Sequence, residues 1–387
     1  MHYFEFATAD ATLYEGEATQ SVNTGLDPIL EVRKDMNDTG TTINVSRALL
    51  KFNLSYLSAS VQNGLIPKAA KYYLNLYDAG SADLPSSQTL FVYPVSQSWT
   101  MGDGTYHSNP QITEGCSWRY RHGEIDGTQW ISGSNNTGGT WFSGSYAAGT
   151  RNFTCSSSLE YETTDIRMDV SDIVHAWIYS GSLYANEGFM VKRSGSVGNT
   201  DSGSGVQEGD STQYGQLKFF SRDTSTIYPP KLEVVWDDSS WSTGSLAPLT
   251  GSALEDTVIY FKGLRPEYKQ NSKIKFRLVG RERYPAKTYS TTSANLAVKY
   301  LPSGSQFIEH GTYYSVKDAV TEDVIIPFGS GSLVSCDTDG NFFNVWMNGF
   351  QTERYYKFEL KVVTGSASSA TQIVNYYDDD FTFKVSR

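Results

Sequence analysis

The sequence predicts an all-β protein built from two β-sandwich domains, and three observations support this. The chain has 387 residues, more than one ordinary domain core accommodates. Aromatic residues make up 14% of it, and 34 glycines favour strands and turns over helices. Segments that alternate apolar and polar residues recur along the chain, whereas one segment alone has the spacing of an amphipathic helix. We therefore expect a large sandwich with one short helix over 1–238, a linker over 239–250 and a second sandwich over 251–387.

Two segments mark the first domain. The sequence SRALLKFNLSYL at 46–57 predicts a buried strand followed by a turn, because its apolar run is too short for a helix. The sequence KLEVVW at 231–236 alternates charged and apolar residues, starting with Lys231 and Glu233. This period of two predicts a strand with one solvated face.

The predicted helix lies in DVSDIVHAWIYSG, which starts at Asp169. Its apolar residues fall at positions i, i+3, i+4, i+7 and i+8. Asp169 is expected to cap the start and Gly181 to end the helix. Trp177 is expected to anchor it at one end or edge of the sandwich, and His175 lies off the apolar stripe, as a surface histidine does.

The second domain follows the linker DDSSWSTGSLAPLT, at 237–250, which combines an acidic pair, small polar residues and a proline. The segments KIKFRLV at 273–279 and YYKFELKVV at 355–363 alternate apolar and charged residues, so each predicts a strand buried on one face. Further strands are predicted at 257–262, 295–301, 311–317, 323–328, 341–347 and 380–386. This number of short strands predicts an immunoglobulin-like or related sandwich.

Composition argues against several functional classes. The net charge of -11 disfavours sequence-blind nucleic-acid binding, which needs a basic face. No apolar stretch is long enough to span a membrane, and the first residues lack the pattern of a signal peptide, so we expect a soluble chain made in the cytoplasm. The five histidines are scattered singly, and no hydrolase or nucleotide-binding motif occurs. We expect no enzymatic activity and no cofactor.

The three cysteines, Cys116, Cys155 and Cys336, have no zinc-site spacing. Two interpretations stay open: a disulfide between Cys116 and Cys155, or three inert thiols.

Seven segments, in order, resemble the jelly-roll module called the DNRLRE domain. They are ADATLYEG at 9–16, SRALLKFNLS at 46–55, YYLNLYDA at 72–79, VYPVSQSW at 92–99, MDVSDIVHAWI at 168–178, EGFMVKR at 187–193 and LKFFSRD…YPPKLEVVWDD at 217–238. The name motif has its nearest counterpart in FFSRD at 219–223. The resemblance implies a jelly-roll sandwich over 1–238. Members occur as carbohydrate-binding modules of bacterial surface proteins and in structural proteins of tailed bacteriophages, and the direct continuation into a second β domain is similar to the phage type.

The segment between Cys116 and Phe153 is the first candidate for a recognition surface, because aromatic rings on polar loops stack on sugars or on partner chains. Its candidate residues are Trp118, Tyr120, Trp130, Trp141, Phe142 and Tyr146. The alternative is a long insertion that folds back on the sandwich, with these rings as a small core or a subunit contact. The polar loop at 194–216 is expected to be flexible or ordered by a partner.

Carboxylates near the ends of the first domain suggest a weak candidate for structural calcium, which prefers six to eight oxygen ligands. The candidates are Asp10, Glu15, Asp237 and Asp238. The alternative is a solvated acidic edge that guards against strand aggregation.

Two functions follow from the sequence. The first is a non-enzymatic structural protein of a tailed-phage virion, at the neck, tail, baseplate or fibre attachment, which binds other virion proteins and copies of itself. The alternative is a carbohydrate-binding adhesin or module whose loop aromatics stack on host surface glycans. We expect no nucleic-acid partner and no membrane insertion. The place in the particle, the copy number and the host do not follow from the sequence.

Overall fold

A computed structural model of the chain describes residues 1–36, 40, 43–131, 138–147, 149–160, 164–180, 183–194, 208–209, 211–249, 257–284, 298–302, 311–364 and 372–387. The chain divides into two compact units. The first unit is Glu5–Glu233, and the second unit is Met1–Phe4 together with Val234–Arg387. The segment predicted as a linker, 239–250, belongs to the second unit.

The predicted all-β class is confirmed, because strands dominate the described residues of both units. From the first residues to the start of the second unit the strands are β1 (His2–Tyr14), β2 (Ile29–Met36), β3 (Ile43–Phe52), β4 (Lys71–Leu76), β5 (Ser87–Pro94), β6 (Ser145–Tyr146), β7 (Arg151–Asn152), β8 (Cys155–Glu160), β9 (Ile166–Asp169), β10 (Phe189–Lys192), β11 (Gly215–Phe220) and β12 (Lys231–Val235). Two helices, α1 (Ser55–Gln62) and α2 (Ser171–Tyr179), connect them.

Ten of these strands form one sheet in the order β8-β5-β10-β3-β1-β12-β4-β9, with β2 paired to β3 and β11 paired to β2. In the register of β10, Met190 lies opposite Tyr93 of β5 and Leu49 of β3. Residues directly opposite in an antiparallel pair share a face of the sheet. A buried cluster covers this face, and it combines strand residues such as Leu49 and Met190 with Trp118 and Trp130.

The helices agree only in part with the sequence. Helix α2 starts at Ser171, whose backbone N–H donates to Asp169 Oδ1 at 2.9 Å, so Asp169 lies just before the helix. Gly181 lies outside the described residues. Helix α1 was not predicted: the chain forms a helix after β3 where the sequence predicted a turn. Its buried residues, Leu57 and Val61, are four positions apart and pack one face against the unit.

The prediction for the strand β12 is right in position and wrong in exposure. Lys231 and Glu233 are 4% and 2% exposed, so both faces of the strand are buried. The ammonium of Lys231 lies 5.1 Å from the ring centroid of Tyr77, and Arg167 Nε donates to Glu233 Oε2 at 2.7 Å. Side chains from other strands therefore cover the face that the alternation predicted to be solvated.

The second unit contains twelve strands among its described residues. They are β13 (Ala247–Pro248), β14 (Thr257–Phe261), β15 (Glu267–Lys269), β16 (Lys273–Glu282), β17 (Lys299–Tyr300), β18 (Gly311–Asp318), β19 (Val324–Ile326), β20 (Ser335–Asp337), β21 (Gly340–Trp346), β22 (Arg354–Thr364), β23 (Ile373–Tyr377) and β24 (Thr382–Ser386). The strands predicted there are present, although residues 295–297 of one lie outside the described residues. The strands β13, β15, β20 and β23 were not predicted, and β13 lies in the segment predicted to be a linker.

Two six-stranded sheets build the second unit. The first has the order β13-β17-β16-β21-β20 with β14 paired to β16, and the other has β15-β24-β22-β18-β19 with β23 paired to β22. One hydrophobic core joins their inner faces, with Phe276 and Phe343 from the first sheet and Phe358 and Phe383 from the other. The rings of Phe276 and Phe358 are 4.7 Å apart and edge-on. The second unit is therefore a β-sandwich.

All three cysteines are free, so the alternative of inert thiols agrees with the structure and the disulfide does not form. Burial raises the pKa of the Cys155 thiol to about 12 and that of Cys336 to about 11. Within the described residues, neither helix is long or apolar enough to cross a membrane.

Candidate functional site

The structure buries two of the predicted recognition residues. Trp118 and Trp130 are 2% and 3% exposed and belong to the cluster that covers the sheet. Trp130 Nε1 donates to the Ser117 carbonyl at 2.9 Å, so its polar atom is also satisfied inside the unit. Their positions agree with the alternative interpretation, in which the insertion folds back on the sandwich and its rings form a small core. A buried ring has no free face on which a sugar can stack.

Trp141 is half-buried and lies over buried cations. Its ring centroid is 5.9 Å from that of Tyr93, 5.1 Å from the Arg47 guanidinium and 4.9 Å from the Lys192 ammonium. Lys192 lies opposite Phe91 in the sheet, which places it beside the rings of β5. Cation and ring attract each other most strongly where water is excluded.

The buried cations share one carboxylate, that of Glu208. Arg47 Nη2 lies 2.7 Å from Glu208 Oε2 and Lys192 Nζ lies 3.1 Å from it, with all three side chains at most 2% exposed. Arg193 extends the cluster and donates to Gln88 Oε1 at 2.6 Å. Burial lowers the pKa of Lys192 to about 8 and that of Arg193 to about 10. This cluster has more positive than negative charge. Its carboxylate, that of Glu208, comes from the segment 194–216, which the sequence predicts to be a flexible polar loop.

Phe142 and Tyr146 lie in a second ring cluster with Phe153 and Tyr184. The rings of Tyr146 and Phe153 are stacked at 4.5 Å, and the Tyr146 hydroxyl donates to the Asp172 carbonyl at the start of α2. Tyr120 is half-buried and pairs with Gln129 through a backbone bridge. Five of the six predicted residues are thus spread over two clusters and Tyr120 lies in neither, and the role of all six in binding stays a prediction.

The structure gives the calcium candidates other partners. Asp10 accepts a hydrogen bond from the Arg222 backbone at 2.7 Å, and Glu15 accepts one from the Val45 backbone at 3.0 Å. Asp237 accepts one from the Ser239 backbone at 2.8 Å, and Asp238 pairs with the amine of Met1 at 3.0 Å. Among the residues that the structure describes, no group of three or more His, Cys, Asp or Glu residues has the geometry to hold a metal ion.

A groove of about 490 Å³ in the first unit is the better candidate for a sugar site. It lies between the end of β3, the first turn of α1 and the helix α2. Its lining combines apolar side chains with hydroxyl and amide groups. The lining residues are Thr8, Lys51, Phe52, Asn53, Leu54, Ser55, Ser58, Trp177, Ile178 and Asn186.

Trp177 is the aromatic residue that distinguishes this groove. The packing of α2 places its ring 4.8 Å from Phe189, and 9% of the side chain remains exposed. Its Nε1 is buried without a hydrogen-bond partner among the described residues. An unsatisfied buried donor costs about 1–3 kcal/mol, and a ligand recovers this cost where its acceptor displaces the side chains that cover Nε1.

The polar groups of the groove are held in place by the backbone. Asn186 Nδ2 donates to the Phe52 carbonyl at 2.9 Å and its Oδ1 accepts from the Gly188 N–H at 3.2 Å. Asn53 Oδ1 accepts from the Ser55 backbone at 3.0 Å, which leaves its amide NH₂ to donate outward. Lys51 pairs with Glu187 at 2.8 Å, so the two charges compensate each other. The groove therefore offers the small exposed part of one aromatic side chain and fixed hydrogen-bonding groups without net charge.

The sequence does not predict this groove. It predicts Trp177 as the anchor of α2, but it predicts no helix after β3. A usable signal was present: Asn53 precedes the segment SYLSASVQ, and Asn is a residue that often starts a helix.

Comparisons with known proteins give one family match. Residues 3–158 match the model of carbohydrate-binding module family 96. No curated protein matches the chain. Among solved structures, the chain has 8% sequence identity and a TM-score of 0.18 to a DUF4785 family protein from Legionella pneumophila, with all of this chain and 65% of the other covered. This TM-score is too low to support any conclusion. By the family match, residues 3–158 are therefore similar to a carbohydrate-binding module.

Proposed function

We propose that this protein binds carbohydrate without modifying it, and that the groove between α1 and α2 holds a neutral sugar chain. The single observation that carries this is the unpartnered Nε1 of Trp177 in a groove lined by hydroxyl and amide groups. The match of residues 3–158 to a family of carbohydrate-binding modules supports the ligand class.

The chemistry of the groove fits sugar hydroxyls. Sugars present hydroxyl groups around a ring whose C–H face is apolar, so they combine ring contact with directional hydrogen bonds. Trp177 provides the exposed part of its side chain and an indole N–H without a protein partner, while Asn53 and Asn186 provide amides. The Lys51–Glu187 ion pair cancels the local charge, which favours a neutral sugar over an acidic one.

The test is calorimetric titration of the full chain with neutral hexasaccharides of glucose, xylose and mannose. We expect at least one to bind, and Trp177→Phe to weaken that binding about tenfold, because it removes the donor and keeps a ring. Asn53→Ala should weaken it severalfold. The matched control is Asn63→Ala at the far end of α1, outside the groove lining, which should bind as the original chain does.

Two results would contradict the groove as the site: no binding of any of the three sugars, or equal affinity of Trp177→Phe and Asn63→Ala. Thermal unfolding of each variant, measured in parallel, separates lost binding from lost folding.

The predicted structural role in a phage virion has no support from the family match and stays a prediction, as do the virion location and the virion partners. The family match agrees with the predicted absence of catalysis for the matched residues, because such modules bind and do not catalyse.

A further inference from the structure

The strand β16 of the second unit has a row of cations on its outer face. Phe276 and Leu278 face the core, so Lys273, Lys275 and Arg277 face outward, and Arg281 continues the row. Alternate residues of a strand lie about 6.6–6.8 Å apart, so the row spaces its charges at this interval or twice it.

Three cations of the row, Lys273, Lys275 and Arg277, line a cavity of about 270 Å³, and two more cations line it with them. Lys262 and Arg265 reach it from the turn after β14. Aromatic side chains, among them Tyr268, complete the lining, and the Tyr268 hydroxyl accepts from the Arg265 backbone N–H at 2.8 Å. That hydrogen bond ties the turn to β15, and the Lys262 backbone N–H donates to the Arg277 carbonyl at 2.8 Å, which ties the turn to β16. The cations of both segments therefore line one cavity.

Rings on the neighbouring strand β21 support the cations. Phe342 lies opposite Arg277, and Trp346 lies opposite Lys273. The ammonium of Lys275 is 3.7 Å from the Phe342 ring centroid, and that of Lys273 is 5.6 Å from the Trp346 ring. These contacts orient the long side chains on the sheet without neutralising their charge.

The positive charge of this face is only partly compensated. Asp337 pairs with Lys275 and Arg277, both at 2.7 Å, and Asp339 lies 3.4 Å from Arg277. Within the described part of the chain, no carboxylate forms an ion pair with the remaining four cations, which are Lys262, Arg265, Lys273 and Arg281. Six cations therefore share two carboxylates, in a chain whose net charge is -11. Such a local reversal of charge attracts an anionic ligand.

We propose that this basic face binds a sulfated polysaccharide, with one sulfate ester in the cavity and others along β16. Sulfate esters keep their charge at all physiological pH values and accept hydrogen bonds from Lys and Arg. The net charge of -11 over the whole chain repels a polymer as densely charged as nucleic acid, so a polymer of lower charge density fits better. The face lies in the second unit, so its binding does not depend on the groove of the first unit.

The test measures binding of the full chain to dextran sulfate and to unmodified dextran of equal length, at 50 and 300 mM salt. At 50 mM salt we expect dextran sulfate to bind more tightly than dextran, and to bind more weakly at the higher salt because ions screen the attraction. The double variant Lys262→Gln/Lys273→Gln should lose at least tenfold in affinity. Lys384→Gln, which removes a partly exposed lysine from the other sheet, should change it less than twofold.

Three outcomes would overturn the assignment. They are no binding of dextran sulfate at 50 mM salt, equal affinity of the double variant and Lys384→Gln for it, and binding of polyuridylate as tight as that of dextran sulfate. The last would make nucleic acid the better ligand. Trp177→Phe should leave dextran sulfate binding unchanged. The proposal for the basic face and the proposal for the groove can therefore be contradicted independently of each other.

Discussion

The strands β12 and β16 have the same alternation of charged and apolar residues, but the structure treats their charges in opposite ways. In β12, Lys231 and Glu233 are buried on the face predicted to be solvated. In β16, Lys273 and Lys275 are exposed on the corresponding face. Both strands lie inside a sheet, with a neighbour on each side. Position in the sheet therefore does not decide the exposure of a charged residue.

What differs is the layer of side chains above each strand. Lys231 lies between the rings of Tyr77 and Phe6, at 5.1 and 5.8 Å, and Arg167 covers Glu233. Above β16, the rings of Phe342 and Trp346 lie beside the cations and leave them exposed. Alternation identifies the face that meets the core, whereas residues elsewhere in the chain decide whether the opposite face is covered.

The cluster around Glu208 is the extreme case of covered charge, and its disruption should give the largest effect. Glu208→Gln leaves Arg47 and Lys192 buried without their carboxylate. We expect a loss of about 3–5 kcal/mol in the free energy of unfolding, because an uncompensated buried charge is costly. Urea denaturation of the full chain measures it. The matched control, Glu124→Gln, changes an exposed carboxylate and should cost less than about 0.5 kcal/mol. Equal effects of the two variants would contradict this account.

Asp10 provides a second test, through pH. Burial raises its pKa from 3.8 to about 7, and the Arg222 backbone hydrogen bond opposes this only in part. The folded state therefore holds a proton that the unfolded state has lost, so stability from this group is present below pH 4 and is lost as the pH rises to about 7. Asp10→Asn keeps an acceptor for Arg222 and removes the charge. Its stability relative to the original chain should rise by roughly 2–4 kcal/mol between pH 4 and 8, as measured by urea denaturation at each pH. A pH-independent difference would show that Asp10 does not titrate in this range.

The sequence was sufficient for features that local pattern controls. The strands β16 and β22 follow their alternation because turning Phe276 or Phe358 away from the core exposes a large apolar surface. Helix α2 follows its apolar stripe for the same reason. Helix α1 has a shorter stripe, with Leu57 and Val61, and packing in the folded unit stabilises it.

The candidate groove was beyond sequence reasoning because its residues come from distant parts of the chain. Thr8, the segment 51–58 and Trp177 meet only after β1, β3 and α2 have packed. The aromatic residues between 116 and 153 also show that the sequence does not reveal which side chains meet in the folded unit. Their composition suits a binding loop, but Trp118 and Trp130 cover the sheet beside Leu49 and Met190 and are buried there. Composition indicates that aromatic side chains pack against something, but it does not distinguish a ligand from the protein's own sheet.

The smallest effect on stability should come from the exposed cations of β16, and it directly tests the difference between β12 and β16. Lys273→Gln removes an exposed charge beside Trp346 and should change the free energy of unfolding by less than about 0.5 kcal/mol. Lys231→Gln makes the same substitution at a buried lysine and should cost about 1–2 kcal/mol, because it removes contact with Tyr77 and leaves a buried amide to be satisfied. Thermal unfolding of the two variants side by side measures the contrast. Similar shifts would mean that the layer of side chains over β12 does not isolate its charges from water, and that the two strands differ less than their exposures indicate.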